Sequence, residues 1–338
     1  MRINRQLNTI EIKTMPDNLD KTILAINKKF GENTIGRLGK MPTIQAERVS
    51  SGSPYLDWCI GGGWPLGKVI ELYGPFSSGK SLVALRTVAE AQKKGLKCVY
   101  LDSENAFEPN FAKKIGINVD DLVISQVSSG EDTFDMMDMI LDSGDVSLIV
   151  VDSVASLVPA YEEENEMGKQ TIGLHARLMS KALRKITGKA SRNKTLILFI
   201  NQIREKVGAY GNPETTTGGR ALGFYSSLRV EVRRGELIQE NKKPIGQQVK
   251  FKVSKSKVSP PFRDGYFIFY YYDPEMPDAE LFDTADELVS MLLVHEKIVR
   301  RGAYYDIAGQ TFQGREELEN EVRSNKKFRE ELIKISKE

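Results

Sequence analysis

This chain of 338 residues is poor in the side chains that build disulfides and metal centres, with two cysteines, Cys59 and Cys98, and two histidines, His175 and His295. Two thiols cannot form a disulfide framework, and neither histidine lies near a cysteine pair, so neither a cross-linked scaffold nor a zinc centre is expected. A reducing cytoplasm is the expected compartment, with both thiols as small buried hydrophobes. Long apolar runs are missing as well. Nothing approaches the roughly 20 residues needed to cross a bilayer, and no signal peptide opens the chain, so no membrane partner is expected. Net charge is nearly absent too, at +2. That mean conceals an asymmetry: Asp102 to Glu166 holds 16 acidic and two basic residues, whereas Leu174 to Gly208 holds nine Lys or Arg against Glu205 alone. A near-neutral average therefore does not exclude a polyanionic partner. At 40% hydrophobic and 28% charged, the chain can bury a globular core.

What is present starts with Gly74-Pro75-Phe76-Ser77-Ser78-Gly79-Lys80-Ser81, a complete G-x-x-x-x-G-K-[ST] phosphate loop. Val69 to Tyr73 before it reads as a strand, and Leu82 to Ala91 after it as a helix. A glycine-rich turn between such elements aims backbone N–H groups and a helix dipole at one point. Lys80 adds a mobile charge for the outer phosphates, and the Ser81 hydroxyl can hold magnesium. The motif in this context predicts a nucleoside triphosphate site.

The surrounding pattern predicts an α/β fold around a mainly parallel sheet. Residues 1 to about 35 suggest an amphipathic helix on Leu19, Ile23, Ile26 and Phe30, capped by Asp17 or Asn18, and Thr43 to Val49 an extended segment. The unbroken apolar runs Lys97–Leu101, Leu148–Val151 and Thr195–Ile200 read as strands buried on both faces. Leu228–Arg233, Val249–Val253 and Tyr266–Tyr271 read as short strands, antiparallel additions to the sheet. From about Asp283 the chain becomes helical and charged. The expected division is 1–49, an N-terminal helix and strand; 50–282, the core; and 283–338, a small α/β C-terminal domain.

Ligands of parallel α/β sheets gather at the carboxyl ends of strands. The predicted strands end at Gly74, Asp102-Ser103-Glu104, Asp152 and Asn201-Gln202, so these should converge. Asp152 suits a magnesium-linked carboxylate, and Glu104 a general base that orients water. Gln202, uncharged, suits a hydrogen-bonding sensor of the γ-phosphate.

With Gly74–Ser81, Leu148–Ala155, Phe199-Ile200-Asn201-Gln202-Ile203-Arg204 and Gly211–Gly219 in this order, the chain resembles the bacterial-type RecA recombinases over nearly its whole length. The resemblance implies a RecA-like ATPase core, with residues 1–49 serving polymerisation. It implies ATP and Mg2+ as cofactors, single- and double-stranded DNA as partners, and a helical homo-oligomeric filament. It further implies a part in recombination, repair and the SOS response, with LexA-type repressors and mediator proteins as further partners. By the same resemblance Gly74 through Ser81, Phe111, Asp152 and Tyr271 contact nucleotide, Phe111 stacking on adenine. Glu104 activates water, with Lys80 and Gln202 in the catalytic set. Lys255 and Lys257 reach the γ-phosphate of the adjacent subunit, and Ser81 and Asp152 serve the metal.

Glu162–Gly173 and Glu205–Gly219 flank the basic segment, and the second, with five glycines or prolines, is expected to be neither helix nor strand. Arg177, Lys181, Arg184 and Arg204 would face a groove shared with these loops, giving sequence-independent phosphate contacts. Ile172 and Tyr210 could wedge between bases. The resemblance makes these segments (about 162–173 and 205–219) the two DNA-binding loops and adds Ser180, Thr217, Gly218 and Gly219 to the DNA contacts. Three departures stand out: Phe76 where a glutamate is usual, Gly223 where a lysine is usual before Phe224, and a second loop one residue shorter. An ATP-switched scaffold and a ring helicase are the alternatives. Glu104, Asp152 and Gln202 speak against the first, and the N-terminal helix and strand against the second.

Overall fold

The computed structural model describes residues 18–32, 34–37, 39, 47–127, 129–164, 173–205, 214–272 and 279–336. The chain divides into two compact units, Met1–Gln45 and Ala46–Glu338. In the first, α1 (Asn18–Phe30) carries Asp20 in its first turn and Lys28 and Lys29 in its last, complementing the helix dipole. Arg37 pairs with Asp20 at 3.1 Å, and the Asn27 side chain brackets the Ile35 backbone at 2.8 and 3.0 Å. The expected apolar spacing lies within α1, none of whose residues is buried. Asp17 and residues 43–46 fall outside the described residues.

The second unit opens with β1 (Arg48–Val49), α2 (Pro54–Cys59) and β2 (Trp64–Pro65), the two strands pairing antiparallel. Strands and helices then alternate: β3 (Val69–Gly74), α3 (Lys80–Lys93), β4 (Cys98–Asp102), α4 (Pro109–Ile115), β5 (Val123–Ser125), α5 (Gly130–Ser143) and β6 (Leu148–Asp152). After a 3-10 turn at Val154–Ser156 come α6 (Ala160–Glu164), α7 (Leu174–Asn193), β7 (Leu196–Glu205), β8 (Glu214–Thr216) and α8 (Ala221–Tyr225). The strands β9 (Leu228–Glu240), β10 (Lys243–Ser256) and β11 (Asp264–Tyr270) follow. The central sheet has the order β11-β10-β9-β3-β7-β6-β4-β5, with β8 paired to the far end of β7. From β9 to β5 every pairing is parallel, whereas β10 and β11 join antiparallel.

Alternation along each strand explains the unbroken apolar runs. In β6, Leu148 and Val150 pack with α3 residues such as Val83 and Val88 on one face, while Ile149 and Val151 pack with Met137 of α5 and Leu183 of α7 on the other. Neighbouring side chains point to opposite faces of a strand, so a strand covered on both sides has no polar positions to offer. Each fully buried Leu, Ile or Val contributes about 1.5–3 kcal/mol.

The chain ends with α9 (Thr284–Val294), a small sheet of β12 (Val299–Arg301), β13 (Tyr304–Ile307) and β14 (Gln310–Gln313), then α10 (Arg315–Ser324) and α11 (Lys326–Ile335). Asp283 caps α9 by accepting from the Asp286 N–H, and Leu288 and Leu292 enter the same apolar cluster as α2 and α3.

Two sequence expectations are corrected. The Glu205–Gly219 segment is not wholly irregular: Thr216, Thr215 and Glu214 of β8 pair with Ile203, Arg204 and Glu205 of β7. Consecutive β-branched threonines favour an extended backbone and outweigh the nearby glycines. Second, β9 and β10 are long, at 13 and 14 residues. Asn241 and Lys242 join them with φ values of +48° and +65°, the double positive φ of a tight hairpin turn. The Asn-Lys pair lacks the glycine that usually announces such a turn in sequence.

Candidate functional site

Two glycines shape the phosphate loop for different reasons. At Gly74 a Cβ would lie 1.9 Å from the Val232 carbonyl oxygen of β9, so the close approach of that strand excludes any side chain. Gly79 adopts φ +96° as the N-cap of α3, a conformation glycine takes without steric penalty. The positive end of the α3 dipole therefore opens onto the loop.

Lys80, the first residue of α3, is buried, and its Nζ donates to the Pro75 carbonyl at 2.6 Å. Burial pushes its pKa down, opposed by the nearby Asp152 and Glu104 charges. Ser78 Oγ is buried with no partner among the described residues. Leaving such a hydroxyl unsatisfied costs about 1–3 kcal/mol, and an anionic ligand in the loop would satisfy it.

Asp152 closes β6. It accepts from the Tyr100 hydroxyl at 2.7 Å and from the Ser81 side chain, and burial pushes its pKa up to about 6. No group of three or more His, Cys, Asp or Glu suited to a metal occurs among the described residues. The Ser81 and Asp152 oxygens thus fit a magnesium ion only in part, the remainder of its shell being phosphate and water oxygens.

Glu104 stands two residues beyond the end of β4. Its Oε1 accepts from Gln202 Nε2 at 3.0 Å, from the Ser153 hydroxyl, and from the Ser156 hydroxyl at 3.4 Å. A cleft of about 320 Å³ is lined by Phe76 to Leu82, Glu104, Phe111, Asp152 and Gln202, with Ile200, Gln247 and Phe269 completing its wall. Phe76 is 81% exposed at this cleft.

Other expected residues lie elsewhere. Asp102 turns away from the cleft to accept from the Ala106 and Phe107 N–H groups at 3.2 and 2.9 Å, so only part of the expected convergence at the strand ends occurs. Gly74 and Pro75 do not line the cleft. Tyr271 flanks its wall: the hydroxyl donates to Gln247 Oε1 at 3.3 Å and the ring packs 5.9 Å from Phe269. Lys255 donates to the Gly223 and Phe224 carbonyls at 2.6 and 3.2 Å. It lines a second cavity of about 700 Å³ with Arg220, Arg229 and Arg233. Burial, then Lys257 and Arg229, push the Lys255 pKa down. Lys257 is exposed just past β10.

On α7, Arg177, Lys181 and Arg184 recur at helical spacing and are exposed, Ser180 is half-buried, and Met179, Leu183 and Ile186 form the buried face. Arg204 is exposed on β7. Gly218 and Gly219 bring the end of the second segment onto α7, where their Cβ positions would meet Met179 Cγ at 3.1 Å and Ala176 Cβ at 2.9 Å. Thr217 reaches the cleft side, its N–H donating to the Gln202 carbonyl at 3.3 Å. Ile172 and Tyr210 lie outside the described residues.

Sequence reasoning missed the supports of these groups. Glu71, fully buried in β3, accepts from Arg229 Nε at 2.5 Å and from Asn201 Nδ2 at 2.9 Å. Asn201 in turn accepts from the Gln202 N–H at 2.9 Å and donates to the Thr217 carbonyl at 3.1 Å. An acid inside an apolar strand was the available signal, because buried charges need partners. Tyr100 offered none, as an aromatic in a strand is ordinary.

Residues 17–274 match the family model described as the RecA N-terminal domain. Over 318 residues the chain is 44% identical to Protein RecA of Limosilactobacillus reuteri, spanning 93% of this chain and 86% of that protein. Protein RecA of Halalkalibacterium halodurans is 43% identical over 317 residues, spanning 93% and 89%. That of Bacillus thuringiensis is 44% identical over 317 residues, spanning 93% and 90%. The chain belongs to the RecA family, whose ATP-binding, DNA-dependent ATPases act in recombination and DNA repair.

Proposed function

We propose that this chain assembles with ATP and magnesium into a helical filament on single-stranded DNA, captures a duplex and exchanges strands between them. Watson–Crick pairing supplies sequence selectivity while the protein holds backbone. Residues 1–49 serve polymerisation, 50–282 the chemistry and DNA loops, and 283–338 a C-terminal domain; the setting is cytoplasmic. LexA-type repressors and mediator proteins are further partners in this reading.

ATP supplies the γ-phosphoryl group, and magnesium, held by Ser81 and Asp152, neutralises phosphate charge. Lys80 leaves the Pro75 carbonyl to bind outer phosphate oxygens, and the Gly74–Ser81 backbone cradles the rest. Phe111 offers a face to adenine beside Tyr271. Glu104, held by two serine hydroxyls and Gln202, orients a water and accepts its proton. Lys255 and Lys257, outside their own chain's cleft, stabilise transition-state charge on a neighbour's nucleotide, so hydrolysis follows assembly. Arg177, Ser180, Arg184, Arg204 and Thr217–Gly219 hold the strand, with Ile172 and Tyr210 as wedges.

The observation that carries this reading is the hydrogen-bonded path from Glu104 through Gln202 to Thr217, and on to Gly218 and Gly219 against α7. A change at the γ-phosphate reaches the basic helix through it. Electron microscopy with single-stranded DNA, with and without a non-hydrolysable ATP analogue, tests the reading. Helical polymers that need both are expected. Protein that stays unassembled, or closed rings, would count against it.

A further inference from the structure

His175 stands where two arms of this path meet, and no step above uses it. It lies in the first turn of α7, two residues before Arg177. Its ring hydrogen-bonds the backbone of Val154, in the turn beside the Ser153 and Ser156 hydroxyls that hold Glu104. From the other side Gly218 closes on the ring, where a Cβ would lie 3.7 Å from His175 Cε1. Gly218 follows Thr217, whose N–H is bonded to Gln202. The imidazole thereby completes a circuit: Glu104, Gln202, Thr217, Gly218, His175, Val154, Ser153 and back to Glu104.

This setting favours the neutral ring. Nε2 is buried with no hydrogen-bond partner among the described residues. The Val154–Ser156 turn and Thr217–Gly219 bring no titratable side chain to it, whereas the Glu162 carboxylate of α6 acts on it to oppose the effect of burial. A proton on Nε2 would make a buried cation whose donor lacks an acceptor at the Gly218 side.

We propose that His175 is a positioning residue: its neutral imidazole locks the Thr217–Gly219 stretch and α7 to the Glu104 turn, and protonation uncouples DNA engagement from ATP turnover. This rests on the recombinase reading above. Burial holds the His175 pKa below its ordinary value. A depressed imidazole favours the packed state fully above about pH 6.5, and that contribution is lost as pH falls through the lowered value.

The test is the ratio of ATPase rate with a dT oligonucleotide to the rate without it, followed from about pH 7.5 to about pH 5.5 across the ordinary histidine range. For the wild type the ratio should fall by about threefold or more over that span. His175→Gln, neutral throughout and able to donate to the Val154 carbonyl, should match wild type at the upper pH and stay nearly flat. His175→Ala should have a reduced ratio at every pH. Should that variant not fold, the comparison of wild type with His175→Gln decides alone. Superimposable profiles for those two would overturn the proposal, as would a folded His175→Ala with the wild-type ratio at the upper pH. A wild-type protein that DNA does not stimulate at all would instead overturn the recombinase reading.

Discussion

At the scale of single residues, Glu104 is held by neutral donors: one amide and two serine hydroxyls share Oε1. Those donors fix the carboxylate's position, which is what in-line attack by water requires. Glu104→Gln keeps the size and the hydrogen-bonding capacity but cannot accept a proton. We expect kcat for ATP to fall by about 10²–10⁴-fold, the usual worth of a general base. Nucleotide binding and DNA-dependent polymers should persist, because Lys80, Ser81 and Asp152 are untouched. Single-turnover hydrolysis beside a nucleotide-binding titration checks both halves; rapid hydrolysis would put the base elsewhere. Lys80 and Ser81, the residues proposed to meet phosphate and magnesium, were legible in the sequence because that chemistry demands particular residue types at fixed spacing. Glu71 and Tyr100 were not legible. Their partners Arg229 and Asp152 stand 158 and 52 positions away, and only the fold brings them together.

At the scale of elements, the basic face of α7 was read from the sequence and its apolar face was not, although the pattern carries both. The apolar positions Met179, Leu183 and Ile186 alternate with Arg177, Lys181 and Arg184 at the period of a helix, and that period alone separates core from surface. The hairpin formed by β7 and β8 was hidden by glycine and proline, which mark loops in general but cannot reveal a three-residue ladder between segments nine positions apart. Arg177 is exposed on α7 close to the Gly219–Ala176 contact, so its guanidinium is free to meet phosphate without disturbing the core. Arg177→Ala should weaken binding to single-stranded DNA of every sequence alike. Loss of one phosphate contact should reduce the slope of log K against log salt by about 0.7. Fluorescence anisotropy across a salt series measures that slope. An unchanged slope would remove Arg177 from the phosphate contacts.

At the scale of the whole molecule, helix α9 is tied to the phosphate-loop helix α3 by charges that sequence patterning cannot pair. Arg86 of α3 and Glu287 of α9 are both buried, with Arg86 Nη2 3.7 Å from Glu287 Oε2. The guanidinium lies over Phe282 at 3.9 Å and Phe267 at 4.7 Å and donates to the Gly52 carbonyl. Glu287 Oε1 accepts from the Ser53 hydroxyl and from the Tyr55 N–H at 3.3 Å. Burial pushes the Glu287 pKa up to about 7, with Arg86 pulling it down. A raised carboxyl favours the folded state below its unfolded value, about 4.3, and that contribution is lost as pH rises through about 7. Above that window the pair is two desolvated charges, and removing the guanidinium strands the carboxylate. Arg86→Met alone should therefore destabilise the fold by about 3–5 kcal/mol at pH 8. Glu287→Gln, neutral as the raised carboxyl prefers, should be no less stable than wild type there, and added to Arg86→Met it should recover most of the loss, since a neutral pair avoids the desolvation cost. Urea unfolding of the four proteins gives the coupling energy. Repeating it near pH 5, where the wild-type carboxyl is protonated in the fold, should shrink the cost of Arg86→Met, because a neutral carboxyl does not need the guanidinium. An Arg86→Met variant within about 1 kcal/mol of wild type at pH 8 would mean that apolar packing by Leu288 and Leu292, and not this pair, anchors α9.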